Sequence, residues 1–157
     1  MRAAVLVSLI AAMGLSACAT RTAQPAAPAA RMAWSLYETP EEGAKLAFGA
    51  PGSDDVPLLL SCRPGSGRVA VNVGAPDEQP RDLALSSGRA TSRFPAAFQP
   101  DLGEGSRLEA TGPAAAPALT RFAATGELAV QADGRRLALP TLDPRQAGKF
   151  MKTCRFG

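Results

Sequence analysis

From Trp34 onward, apolar positions recur in short runs of period two, broken by Gly, Pro, Asp and Ser. The run 33–37 puts Trp34 and Leu36 on one face, and 44–48 does the same with Leu46 and Phe48. The segment 57–62, PLLLSC, is almost wholly apolar, as a central strand is, and turns Leu58, Leu60 and Cys62 inward. The cleanest alternation is 68–73, RVAVNV, with Val69, Val71 and Val73 on one side. Between these two runs, RPGSG (63–67) reads as a hairpin loop. Weaker strand signals follow at 81–86 and 106–110. Ala132-Asp133-Gly134 marks a second hairpin, pairing Leu128 and Val130 with Leu137 and Leu139.

Two segments carry helical spacing instead. In 117–126, Leu119, Phe122 and Ala123 fall on one side of a helical turn that Gly126 would stop. In the second, Asp143-Pro144-Arg145-Gln146 supplies an N-cap acid, proline at the first helical position and glutamine three residues after the cap. A helix over about 144–153 then gathers Ala147, Phe150, Met151 and Cys154 on one side. The expected class is mainly β: a small antiparallel sheet, sandwich or barrel with a short C-terminal helix.

The pattern before Trp34 differs. Residues 1–17 combine Arg2, a 15-residue apolar stretch and small residues at its end, the tripartite order of a signal peptide. That stretch is shorter than the roughly 20 residues a spanning helix needs. Leu15-Ser16-Ala17-Cys18 resembles the lipobox of bacterial lipoproteins and matches it at all four positions. The resemblance implies cleavage between Ala17 and Cys18, a diacylglyceryl group on the Cys18 sulfur and acylation of the new amino terminus. Two acyl chains suffice for stable anchoring, at about 0.8 kcal/mol per buried CH₂, where one does not. By analogy with enteric lipoproteins, Ala19 in place of an aspartate favours the outer membrane, facing the periplasm. Residues 18–31 are the lipidated N-terminus and an Ala/Pro tether without hydrophobic periodicity, and 32–157 form a single β-rich domain. The 13 residues after Cys18 reach roughly 40 Å if extended, at about 3.1 Å each.

With Cys18 assigned to lipid, two cysteines remain in a chain exported to an oxidising compartment. The simplest expectation is a Cys62–Cys154 disulfide bracing nearly the whole domain. Only one Trp, one Tyr and six Phe are available for the core, so such a brace adds a large share of stability.

Composition narrows the chemistry. The chain has no histidine, which excludes Ser-His-Asp and Cys-His catalysis and every His-ligated metal site. Net charge is +3, with the charges interspersed rather than clustered, which argues against nucleic-acid binding. Ser53, Asp54 and Asp55 form the densest polar loop, but without the regular ligand spacing of a calcium loop they read as a solvated turn. RPGSGR lacks the lysine and the strand-loop-helix setting of a phosphate loop. Trp34 reads as a core residue.

The lipobox, the small β domain and the cysteine layout together resemble membrane-bound inhibitors of c-type lysozyme. The inhibitory Ser-Gly-x-x-Tyr loop of that family has its nearest counterpart in GSRLEATG (105–112), where no tyrosine is in register. No inhibitory residue is therefore carried over. The expectation is a non-enzymatic, lipid-anchored binding or envelope-structural module without metal or cofactor. Its partners would be the membrane and an envelope protein, and inhibition of a cell-wall hydrolase is the alternative.

Overall fold

The computed structural model describes residues 31–75, 82–100, 106–132 and 135–156. The signal peptide, Ala17, Cys18 and most of the tether lie outside these residues. Eleven elements follow in order: β1 (Ala33–Thr39), β2 (Gly43–Gly49), β3 (Leu58–Cys62), β4 (Arg68–Ala75), β5 (Asp82–Ser87), β6 (Ala90–Pro100), β7 (Ser106–Pro113), α1 (Pro117–Thr125), β8 (Ala129–Ala132), β9 (Arg135–Ala138) and α2 (Pro144–Phe156). The strands make one curled nine-stranded sheet in the order β1-β2-β3-β4-β7-β6-β5-β8-β9, antiparallel throughout. The mainly β class with a C-terminal helix therefore holds, and of the three architectures it is the curled sheet rather than a two-layer sandwich.

The curl is made at β6, which the alternation did not reveal. Its first half, 90–95, pairs with β5, and its second half, 96–100, pairs with β7. Pro95 stands at the changeover, where a missing N–H and a fixed φ suit a strand that leaves one partner for another. Phe94 turns inward beside it, against Gly112 of β7. A Cβ on Gly112 would lie 2.2 Å from the Phe94 ring. The inward positions of this strand include Ser92 and Ala96, so its apolar signal is weak.

The concave face carries the core. Leu46, Leu58, Leu60, Val69, Val71, Leu83, Leu85 and Leu108 are all fully buried there, as period two requires. Both helices lie inside the curl, α1 against β5 and β6, and α2 against β2 and β4, and they pack on each other. The segment 117–126 forms a complete nine-residue helix, longer than the single turn its spacing suggests. It has no capping side chain of its own; the Ser92 hydroxyl accepts the Ala118 N–H at 3.1 Å from the facing strand. Gly126 ends it in the left-handed region (φ 70°) and donates its N–H to the Phe122 carbonyl at 2.8 Å. For α2, Asp143 caps as the sequence indicates, accepting the Arg145 N–H at 2.8 Å. Ala147, Phe150, Met151 and Cys154 are buried on its inner side.

Candidate functional site

The two ends of the curl differ in what fills them. At one end, Cys62 at the close of β3 is disulfide-bonded to Cys154 near the close of α2, with Cα atoms 5.5 Å apart. The RPGSG loop completes this end. Gly65 and Gly67 donate their N–H groups, each at 2.9 Å, to the Thr153 and Cys154 carbonyls. Those are terminal helix carbonyls with no partner inside α2, so the loop caps the helix. These two amides are thereby occupied and are not available to cradle an anion. Arg155 adds two guanidinium hydrogen bonds to the Ala114 carbonyl, at 2.8 and 3.1 Å, and one to the Thr120 hydroxyl.

β1, the sheet's first edge, is tied to the helices. Glu38 pairs with Lys149 and accepts a hydrogen bond from the Thr153 hydroxyl at 3.0 Å. The hydrogen bond from Lys149 holds the Glu38 carboxyl below its ordinary pKa, Thr153 adds to this, and partial burial opposes it. Trp34 is half-buried: its ring lies 5.3 Å from Phe48 and 6.4 Å from Phe122, and its indole N–H donates to the Pro140 carbonyl at 2.8 Å. It thus packs against the core, as expected.

Among the described residues the opposite end is open. Following the register from Phe48 to Leu58, Val73, Leu108 and Phe98, and from Leu83 to Ala132 and Arg135, locates the strand ends that rim it. Here the two arms of the sheet face each other across a cleft of about 430 Å³. Pro57 and Val73 line one wall, and Val130, Ala132 and Leu137 the other. The volume falls within the roughly 300–1,000 Å³ of small-molecule sites. Arg135 stands on its rim. Register pairs it with Ala132 and places it two residues from Leu137, so strand alternation puts its side chain on the cleft side. Among the described residues Arg135 has no ion pair. Arg136 also borders the cleft, with alternation assigning its side chain to the outer face.

A second, wider groove of about 640 Å³ lies on the convex face, floored by Ala47 and Leu59 and edged by Lys45, Asp54 and Arg107. Its rim carries both signs of charge, and Lys45 is bridged to Glu42 at 3.0 Å. Tyr37, 61 % exposed, stands beside it.

The polar loop singled out by sequence folds on itself. The Ser53 hydroxyl donates to the Ala50 carbonyl at 3.0 Å and accepts the Asp55 N–H at 3.2 Å, while the Asp55 carbonyl accepts the Ala50 N–H at 2.9 Å. It is a self-bonded turn, and no group of three metal-ligating side chains occurs among the described residues. The sequence reading did not mark the cleft residues. The available signal was RRLALP: two arginines just after a hairpin turn, the first on the face that Leu137 shares. No described helix is long and apolar enough to cross a membrane. Comparison with models of known families, with curated proteins and with solved structures finds no match to this chain.

Proposed function

We propose that this is a lipid-anchored, non-enzymatic binding module of the cell envelope, held to the outer membrane through Cys18 and facing the periplasm, with the open end of its curled sheet as the binding surface. The observation that carries the reading is the register of β1. Ala33 pairs with Gly49, so the chain arriving from the tether enters at the same end as the cleft, while the disulfide closes the far end. A lipid on Cys18 then keeps the cleft within reach of the membrane, at the roughly 40 Å that the tether can span. Confinement at that distance raises the effective concentration of any membrane-borne ligand. Among the described residues the cleft walls supply apolar surface and two arginines but no carboxylate, hydroxyl or thiol side chain, a lining suited to holding a ligand rather than to transforming it.

The hydrolase-inhibitor alternative gains no support from the fold. The described part of its nearest motif counterpart, 106–112, lies within β7, a central strand between β4 and β6.

Cys18→Ala tests the anchor. Metabolic labelling with an alkyne fatty acid should be lost, and the unprocessed precursor should accumulate. Labelling that persists in this variant contradicts the assignment of Cys18.

A further inference from the structure

The ligand class of the open end can be named from its shape and charge, given the binding-module reading above. We propose that the cleft holds a membrane-derived fatty acid, with its alkyl chain between the two arms of the sheet and its carboxylate on Arg135.

Apolar side chains from both arms make the walls. Val73 is 6 % exposed and Val130 1 %, so both are core residues whose outer surfaces form the cleft. Burying an alkyl chain against them removes apolar surface from water at about 25 cal/mol per Å². Space decides how many chains enter. A methylene takes roughly the 30 Å³ of a water molecule in the liquid. A cleft of about 430 Å³ therefore accepts one chain of on the order of a dozen carbons, and a two-chain phospholipid exceeds it.

Charge decides which single-chain molecule is preferred. Arg135 is exposed at the rim, on the cleft side of β9 and without an ion pair among the described residues. A guanidinium binds a carboxylate through two parallel hydrogen bonds, and among the described residues no acidic side chain lines the cleft to compete. The convex groove is the weaker candidate, because Asp54 beside Lys45 and Arg107 gives it no preferred sign. Position adds a third argument. The cleft shares its end of the sheet with Ala33, where the chain leaves toward Cys18, so a lipid anchor there would hold it near the source of such molecules.

The test uses the full chain, purified in phosphatidylcholine nanodiscs and labelled with a diazirine-bearing twelve-carbon fatty acid. Adducts should map to peptides containing Val73, Val130 or Leu137, and dodecanoate should compete better than dodecanol. Arg135→Glu alters an exposed side chain on an edge strand. It should weaken competition by dodecanoate about tenfold, the weight of one charge-assisted contact, and leave dodecanol unchanged. Ala132→Trp, which fills the cleft from its wall, should abolish labelling. Equal competition by dodecanol and dodecanoate, adducts centred on Tyr37 or Phe156, or an unaffected Ala132→Trp variant each overturn the proposal. The intact mass of the same sample reports the lipid on Cys18 separately, so failure of the anchor and failure of the ligand assignment are distinguishable.

Discussion

The two ends of this sheet are built on opposite principles. At the closed end a disulfide, a loop that caps a helix and an arginine clamp tie β3, α1 and α2 into one unit. At the open end Val73, Val130 and Leu137 face a cleft, and two sheet arms meet without a bridging covalent bond. A domain with eight aromatic residues has little core to spare, and the difference shows how it manages. Stability is gathered where the helices plug the curl, which leaves the opposite end free to remain concave.

The contrast can be broken most severely at the disulfide. Replacing Cys62 and Cys154 together by serine removes a closure spanning 92 residues. The chain-entropy relation assigns that about 4–5 kcal/mol, against a usual total of about 5–15. Denaturant titration should show the midpoint falling sharply; a midpoint within error of the parent contradicts the assigned weight of the closed end. Gly126→Ala comes next. Gly126 adopts φ 70°, and an added Cβ would lie 1.8 Å from the Leu142 carbonyl oxygen, which belongs to the segment leading into α2. Backbone strain of this kind costs about 1–3 kcal/mol before the clash is counted. Thermal unfolding should register the loss.

The smallest effect is pH-dependent. Glu38 has a lowered pKa in the folded state, chiefly through its hydrogen bond from Lys149, so its contribution is complete above the unfolded carboxylate pKa of about 4.3. It fades as pH falls through that value toward the folded one. The pair is partly solvated, with Lys149 64 % exposed, which limits its worth to about 0.5 kcal/mol. Glu38→Gln should therefore destabilise by that amount at pH 7 and by nothing measurable near pH 2. A difference that persists in acid assigns the effect to packing instead.

Sequence patterning located the closed end and the strands that wall the open one, but not the cleft between them. Period two marked β1 to β4 because their inward residues are large and aliphatic. The Asp-Pro cap marked α2, and cysteine parity marked the brace. The strand β6 was hidden because Ser92 and Ala96 occupy inward positions and Pro95 interrupts it. Both irregularities serve its role as the corner, where it changes partners and Ser92 caps α1 from outside the helix. The cleft was hidden for a different reason. Val73, Val130 and Leu137 carry the same signature as any core residue, and only the curl, which brings β4 opposite β8, distinguishes a wall from an interior. The work of the RPGSG amides likewise depends on where α2 ends, a long-range outcome that local composition does not encode.

The most direct measurement is methyl NMR of the full chain in nanodiscs, titrated with dodecanoate. Shifts concentrated on Val73, Val130 and Leu137, with Leu60 and Val69 near the disulfide unmoved, are the expected result. Shifts spread evenly over both ends, or confined to Leu59 and Val56 beside the convex groove, would contradict an open end built for binding.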